Sequence, residues 1–324
     1  VCTSPHEKLM DAPKSKDDVK CWDFADVVDD IKDSLESSKD QSLKELARNG
    51  FPKISSRVKE RLKNIFQELQ QGSGAVLLRF PPGWLENVGE DVCERAFLGL
   101  CAQLGRPVIQ STDLQEISAR VETAKTPEVL AAKHTLRRGY RNAKDQFLHN
   151  DSSIPAARGE GICDILAMFC YRPSAKGGIS KMASAVAIHE QLRGQPEVLK
   201  AAQQGFKYNA AMVEYHPDWR QPAMGTERPM VFQDRKGRPC VQYAKNMVET
   251  ISAAYDDPAE LEKVTLKLSG LEAVCSDPAV VQYWPLGAGE AYLVDNYRWL
   301  HARTDFEDDP KSPRLFFRLW LQVE

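Results

Sequence analysis

Two side chains that could bind a metal ion lie two residues apart in the segment 146–151, which we interpret as a strand. Successive strand side chains point to opposite faces, so His149 and Asp151 are predicted to project to one side while Asn150 points away. A distant histidine would complete a set of two imidazoles and one carboxylate. Such a set suits non-haem Fe(II), because three protein ligands leave coordination positions open. Taken alone, a His-x-Asp pair is more often part of a turn or a core than of a metal site.

A second polar set lies near the C-terminus, where His301 follows an apolar strand and two arginines lie in a later one. Alternation along that later strand separates two rows of side chains: Arg314, Phe316, Arg318 and Trp320 face one way, and Leu315, Phe317, Leu319, Leu321 and Val323 face the other. The apolar row must pack against a core, and the arginine row faces either solvent or a polar cavity. The two aromatic residues of the arginine row favour a cavity, because aromatic side chains are poorly suited to open solvent. Guanidinium groups in such a cavity would bind a carboxylate, since they pair with it through two hydrogen bonds.

The elements that must position these residues change in type along the chain. Helical spacing dominates the first third, where helices are predicted within 23–46, from Ser55 to Gly72, and over 91–104. Strands are predicted later, at 75–80, 147–151, 163–172, 239–243, 291–295 and 315–323, with helical inserts at 184–192 and 257–268. This order predicts an α+β fold rather than a parallel βαβ sheet. The chain contains neither a G-x-G-x-x-G nor a Walker loop, which disfavours nucleotide binding.

Composition limits the class of protein without indicating its chemistry. The 324 residues are 42% hydrophobic and 27% charged, with a formal net charge of −3, so no overall basic field indicates nucleic acid. No apolar run is long enough to predict a membrane span. The eight cysteines are dispersed without a Cys-x-x-Cys pair, which favours reduced thiols and a cytoplasmic location. The chain begins at Val1, so a targeting segment could have been removed upstream.

The ordered set of motifs resembles the TauD/TfdA family of Fe(II)- and 2-oxoglutarate-dependent dioxygenases. The motifs are His149-x-Asp151, Gly177-Gly178-Ile179-Ser180, His301 and Arg314-x-x-x-Arg318, supported by segments 74–79, 104–107, 237–243 and 295–298. The resemblance extends from Gly74 to the C-terminus and matches residues 1–70 loosely at most. It implies a double-stranded β-helix (jelly-roll) core in one catalytic domain, residues 71–324, with helical inserts. Residues 1–70 are then an N-terminal arm and helices that pack on this core.

The resemblance also implies roles for individual residues. His149, Asp151 and His301 would be the iron ligands, and Arg314 would pair with the distal carboxylate of 2-oxoglutarate. Ser180 stands where the family often has a threonine that helps to hold this carboxylate, although the loop before it is slightly longer than usual. Arg318 matches a position that in some members reaches an acidic group of the substrate. Support of Arg314 or of the cavity wall is the alternative role for Arg318.

The implied activity is oxidation of a substrate C–H bond by O2, with decarboxylation of 2-oxoglutarate to succinate. Hydroxylation is the default outcome, desaturation and cyclisation stay open, and the carboxylate of Asp151 disfavours halogenation because it fills the position that chloride would need. Arg318 and the cationic segment 133–144 indicate a small anionic or zwitterionic substrate, amino-acid-like, rather than a nucleic acid or a membrane.

Two other functions stay open. A jelly-roll protein that binds small molecules without catalysis would need a broken ligand set or a missing arginine, and neither break is present. Arg314 argues against the second, an iron oxidase that does not use 2-oxoglutarate.

Overall fold

The computed structural model describes residues 13–81, 83–110, 117–122, 143–151, 163–207, 229–244 and 255–323. Within these ranges the chain forms seven α-helices, two short 3-10 helices and fourteen strands. The seven cysteines they contain are all free thiols. None of the helices in these ranges combines the length and the apolar character that a membrane span requires.

Four helices precede the strands that carry the candidate site, and three lie among them. The helices are α1 (Val28–Ser37), α2 (Leu43–Asn49), α3 (Ser56–Gln71), α4 (Trp84–Cys101), α5 (Ala185–Arg193), α6 (Pro196–Gln204) and α7 (Pro258–Ser276). Ser55 caps α3 as the sequence predicts, because its hydroxyl accepts a hydrogen bond from the Val58 amide at 3.2 Å. Three features differ from the prediction: α4 spans Trp84–Cys101 instead of 91–104, α7 continues past residue 268 to Ser276, and α6 was not predicted.

The largest sheet is mixed and has seven strands. In the order of pairing it contains β1 (Cys21–Asp23), β2 (Ala75–Arg79), β11 (Glu290–Asp295), β5 (Ile165–Arg172), β14 (Leu315–Gln322) and β3 (Arg106–Pro107), while β4 (Ala119–Glu122) also pairs with β14. Only the β1–β2 pair is parallel among these described strands. The N-terminal segment therefore contributes an edge strand to the same sheet as the C-terminal strand.

A smaller antiparallel sheet has three strands, β10 (Gln282–Trp284), β7 (Ser180–Ser184) and β12 (Trp299–Arg303). Two further pairs are β13 (Phe306–Glu307) with β6 (Lys176–Gly177), and β8 (Val231–Gln233) with β9 (Pro239–Val241). The register places Ser180 opposite Arg303 and Met182 opposite His301. Two of the motifs quoted above thus lie on neighbouring strands.

Three apolar clusters divide the molecule into layers. The outer face of the large sheet packs against α1–α4, with Phe169, Phe317 and Leu319 among the sheet residues of that cluster. A second cluster lies between the two sheets and joins Phe316 and Trp320 to side chains of the smaller sheet. A third packs α5–α7 on the opposite side of the smaller sheet. The molecule is thus layered as helices, large sheet, small sheet and helices, which confirms a mixed helix-and-sheet fold.

The two rows predicted for the C-terminal strand are both buried, each in a different cluster. Leu315, Phe317, Leu319 and Leu321 belong to the helix-covered cluster, whereas Phe316 and Trp320 belong to the cluster between the sheets. Arg314 and Arg318 are 3% and 7% exposed, so the row that carries them faces the interior and not solvent.

The strand predicted at 147–151 is wrong as an element. Only isolated bridges occur there, which pair His149 with Ala244 and with His301. The segment is extended at the histidine, but it does not continue as a ladder.

Candidate metal centre

The three predicted ligands converge, although their positions in the sequence are far apart. His149, Asp151 and His301 each present one ligand atom, and these atoms lie within 4.8 Å of one another. The Nε2 of His149 is 3.5 Å from Oδ1 of Asp151, and the Nε2 of His301 is 3.7 Å from Oδ2. They form a group like the facial triad of non-haem iron enzymes, with two imidazoles and one carboxylate.

Main-chain hydrogen bonds hold the two histidines side by side. The amide of His149 donates to the carbonyl of His301 at 3.0 Å, and the His301 amide donates back at 2.9 Å. Their rings are 4.4 Å apart between centroids. The Nδ1 of His149 lies 2.8 Å from the carbonyl oxygen of Phe147, which orients the ring and leaves Nε2 for a metal. His301 is 6% exposed, so packing fixes its ring.

Asn296, in the turn between β11 and β12, fixes the main chain at Asp151. Its amide oxygen accepts a hydrogen bond from the Asp151 amide at 3.2 Å, and its Nδ2 donates to the Asp151 carbonyl at 3.1 Å. The side chain of Asn150 donates to the Asn296 carbonyl and accepts from the Tyr243 amide at 2.7 Å. Asn150 therefore points away from its two neighbours, as predicted, and fastens their segment to the turn before His301.

Two side chains of β14 donate to the carboxylate of Asp151. Nη1 of Arg318 lies 3.0 Å from Oδ2, and the indole nitrogen of Trp320 lies 2.8 Å from the same oxygen. Nε of Arg318 also donates to Oε1 of Gln110 at 2.9 Å. The sequence predicted that Arg318 contacts an acidic group of the substrate or supports Arg314 or the cavity wall, and its contact with Asp151 was not predicted. The contribution of Trp320 and Gln110 was missed, because alternation along a strand shows which face a residue shares and not which atom it contacts.

The surroundings of Asp151 and His301 favour the protonation states in which these residues can bind a cation. Burial raises the pKa of the Asp151 carboxyl, but the Arg318 guanidinium and the neighbouring histidines outweigh it and hold this pKa well below its usual range. Burial, with His149 nearby, lowers the pKa of His301 to about 3, although Asp151 opposes the shift. At neutral pH the site therefore offers a carboxylate and a neutral His301 imidazole, both of which can bind a metal ion.

A second polar group lies beside this triad, on the strands that face each other across the inner cluster. The buried Tyr292 hydroxyl shares a hydrogen bond with Ser180. Burial and the charge of Asp151 raise the pKa of Tyr292, and Arg314 offsets only part of this rise. Tyr292 thus lies within electrostatic range of the triad and of Arg314. Arg303 follows His301 on the same face of β12. Its pKa is lowered to about 9 by burial and by Arg314, so these two arginines are close to each other.

Arg314 has the character of a ligand-binding residue. Its guanidinium lies 3.8 Å above the centre of the Phe316 ring, and burial lowers its pKa to about 10. Its Nε is buried and has no hydrogen-bond partner within the described ranges. A buried donor of this kind is costly unless a ligand supplies the acceptor. A carboxylate fits that requirement, as the sequence predicted for this cavity.

A tight turn places Ser180 at the start of β7. Gly177 and Gly178 both have φ of +67°, a region that side chains other than glycine rarely adopt. A Cβ on Gly177 would lie 2.3 Å from the main-chain oxygen of Asp305. The Gly-Gly-x-Ser motif is therefore explained by a close approach of two main chains beside the site. The cationic segment predicted at 133–144 lies outside the described residues except at its last two positions.

Comparison with known proteins agrees with this geometry. The family model described as "Taurine catabolism dioxygenase TauD, TfdA family" matches residues 53–320, so the match also includes α3. No curated protein matches the sequence.

Several solved structures share the fold at low sequence identity. Asparagine oxygenase (AsnO) superposes with a TM-score of 0.68 at 17% identity, covering 93% of this chain and 92% of that one. The non-haem iron oxygenase OrfP in complex with Fe and alpha-ketoglutaric acid has a TM-score of 0.66 at 12% identity, covering 94% of each chain. OrfP with Fe, succinate and (3S)-hydroxy-L-Arg has a TM-score of 0.64 at 12% identity, covering 94% and 95%.

Proposed function

The chain belongs to the TauD/TfdA family of Fe(II)- and 2-oxoglutarate-dependent dioxygenases, and from that membership we propose that it oxidises a C–H bond of a small amino-acid-like substrate. The observation that carries the proposal is the grouping of His149, Asp151 and His301 within 4.8 Å, beside buried arginines. Two imidazoles and one carboxylate fit Fe(II), which binds nitrogen and oxygen donors and keeps open positions in such a set. We assign the three residues as the iron ligands.

Arg314 and Ser180 are proposed to hold the distal carboxylate of 2-oxoglutarate. The guanidinium of Arg314 is buried with an unused donor, and Ser180 lies at the start of β7 in the smaller sheet, hydrogen-bonded to Tyr292 of the large sheet. A buried guanidinium binds a carboxylate through charge-assisted hydrogen bonds, which fix its orientation as well as its affinity. The other end of 2-oxoglutarate would then lie toward the triad.

Iron bound by the triad, together with 2-oxoglutarate and O2, supplies the oxidant for an unactivated C–H bond. The chain's own residues provide binding, orientation and a dry setting. Asp151 and His301 are 6% exposed or less, so bulk water has little access to their ligand atoms. Hydroxylation is the outcome that we propose as the default, with desaturation or cyclisation as variations on the same hydrogen abstraction.

The balance of charge supports an anionic or zwitterionic substrate. Three buried arginines, Arg303, Arg314 and Arg318, border the site, and among the described residues there the buried carboxylate that faces them is Asp151. Guanidinium groups beside the site favour a substrate that carries a carboxylate, because they bind this group through charge-assisted hydrogen bonds. Arg318 lies against the metal ligand, and a substrate carboxylate bound by it would stand beside the iron. The similar AsnO and OrfP structures carry hydroxylated asparagine and arginine as ligands, which supports an amino-acid-like substrate.

We also propose that the two facing sheets form the double-stranded β-helix predicted from the sequence, with residues 71–324 as the catalytic domain. The inner apolar cluster, which contains side chains of both sheets, supports this architecture. A small-molecule-binding protein without catalysis stays the alternative. The complete ligand group and the buried Arg314 argue against it, because a non-catalytic protein has no need to keep both.

The test compares free amino acids with analogues that lack the carboxylate. Metallated protein is incubated with 2-oxoglutarate and O2 and a panel that includes L-asparagine, L-arginine and their decarboxylated amines. Succinate and oxidised products are then measured by mass spectrometry. We expect amino acids to accelerate succinate formation and to gain one oxygen atom, and His301→Ala to abolish both. Equal acceleration by amines would contradict the proposed substrate class, and no succinate under any condition would favour the binding protein.

A further inference from the structure

We propose that Arg318 and Trp320 are positioning residues that orient the carboxylate of Asp151 through its Oδ2 atom. The inference rests on the proposed iron site and adds a constraint on how its carboxylate binds. Oδ2 accepts hydrogen bonds from both side chains, at 3.0 Å and 2.8 Å. A carboxylate oxygen has two lone pairs, so these two donors use the capacity of Oδ2. Both oxygens of this carboxylate face the histidines, because Oδ1 lies 3.5 Å from Nε2 of His149 and Oδ2 lies 3.7 Å from Nε2 of His301.

The two donors are themselves held in place. Arg318 donates from Nε to Oε1 of Gln110, and the amide nitrogen of Gln110 donates to the main-chain oxygens of Arg318 and Ile117 at 2.8 Å and 2.7 Å. Trp320 is 5% exposed and packs in the cluster between the sheets. Because residues 318 and 320 lie two apart on β14, the strand presents both donors to the same side. The orientation of the Asp151 carboxylate is therefore set by side chains of β14, whereas its main chain is held by Asn296.

This arrangement predicts that the carboxylate of Asp151 is already oriented in the metal-free protein. Partners that hydrogen-bond to a metal ligand usually change metal affinity by 10–100-fold when they are removed. Trp320→Phe deletes the N–H and keeps an aromatic ring, so Oδ2 keeps only the hydrogen bond from Arg318 and the carboxylate is held less firmly. We expect Trp320→Phe to weaken metal binding by about 10–100-fold.

The experiment measures binding of Co(II) as a probe for the metal site, without 2-oxoglutarate or substrate, by calorimetry and by visible absorption. Trp84→Phe is the matched control, because Trp84 is also 5% exposed but its indole nitrogen has no hydrogen-bond partner in the described structure. Trp84→Phe should bind Co(II) like the wild type. The visible Co(II) bands should shift in Trp320→Phe alone, since these bands report the coordination of the ion, and a general loss of packing would not move them.

Arg318→Met is the second variant and covers the case in which Trp320→Phe fails to fold. It removes the other donor, and we expect at least tenfold weaker Co(II) binding. Wild-type protein that binds no metal would overturn the proposed iron site, and with it this inference. If the wild type binds Co(II) and a folded variant binds it with the same affinity and spectrum, this inference is overturned while the proposed iron site stands.

Discussion

The carboxylate of Asp151 shows how one residue can be both buried and ready to bind a cation. Burial alone would favour its neutral form, and the adjacent Arg318 reverses that preference. His301 has the complementary property, because burial keeps its imidazole neutral down to a pH of about 3. A metal ion therefore does not have to displace a proton from either residue at neutral pH. Low exposure sets the charge state of His301, and the neighbouring Arg318 sets that of Asp151.

At the same scale, Arg314→Met tests the assignment of the co-substrate site. Loss of a charge-assisted hydrogen bond to a buried carboxylate costs about 1.5–3 kcal/mol, which corresponds to a rise of roughly 10–150-fold in the KM for 2-oxoglutarate. The control is Arg120→Met, because Arg120 makes its ion pairs with Asp91 and Glu94 on α4. The measurement is the rate of succinate formation against 2-oxoglutarate concentration. A KM that rises equally in both variants, or in neither, would contradict the assignment.

Single residues also show what sequence reasoning could and could not predict. The proximity of His149 and Asp151 was predictable from their two-residue spacing, and the family resemblance identified His301 as the third member of the group. Alternation along the strand identified the face of Arg314 and Arg318. The hydrogen bonds of Trp320, Gln110 and Asn296 were not predictable, since each depends on which strands pair and in what register. Register is fixed by the assembled sheet, and a single sequence does not display it.

At the scale of elements, the segment that carries His149 shows that side chains can face as predicted even where the predicted strand does not form. The predicted strand at 147–151 gave the correct faces for His149 and Asn150, yet the segment forms only isolated bridges. Its shape is held by hydrogen bonds to His301 and Asn296 instead of a ladder. The strands β7, β10 and β12 of the smaller sheet were also missed. They are three to five residues long, so their periodicity is too short to recognise.

The turn before Ser180 yields a prediction at this scale. Gly177→Ala places a Cβ about 2.3 Å from the Asp305 oxygen, at a φ that alanine disfavours, so both strain and a clash with main chain oppose it. Gly237→Ala is the control, because Gly237 has φ of +75° with no atom within 4 Å of the added Cβ. We expect Gly237→Ala to cost about 1–2 kcal/mol of unfolding free energy. Gly177→Ala should cost clearly more.

A displaced turn should also move Ser180 and raise the KM for 2-oxoglutarate in Gly177→Ala, while Gly237→Ala leaves this KM unchanged. Denaturant unfolding and succinate kinetics on the two variants supply the measurements. If both variants lose the same stability and keep the wild-type KM, the turn does not position Ser180.

At the scale of the whole molecule, the layered fold explains why the site is dry and how the N-terminal region takes part. Helices α1–α4 cover the outer face of the large sheet, and α3 is tied to the turn before His301, because Arg298 donates to the Gly72 carbonyl at 2.9 Å. The sequence predicted the helical N-terminal region and four strands of the large sheet, β2, β5, β11 and β14, which have clear periodicity. It did not show that β1 joins this sheet, because parallel pairing of such short, distant segments depends on tertiary packing.

The stability of the metal-free protein should depend on pH through two buried groups with opposite effects. His301 has a pKa of about 3 when folded and an ordinary value of 6.5, so between these values the unfolded chain binds the extra proton and acidification destabilises the fold. Burial, opposed by Arg298, raises the pKa of Asp295 from 3.8 to about 6. Between these values the folded chain binds the proton, so acidification through Asp295 stabilises the fold.

Two variants separate these contributions in urea unfolding at pH 4.5, 5.5 and 6.5. Asp295→Asn keeps an oxygen that can accept from the Tyr297 amide but removes the titration, so its stability should fall more steeply on acidification than that of the wild type. His301→Asn should fall less steeply. Each difference should reach at most about 1.4 kcal/mol per pH unit, the value for one proton. Parallel pH profiles for all three proteins would mean that neither group titrates differently in the folded state. A reversed order would mean that the effects of burial on the two residues are assigned the wrong way round.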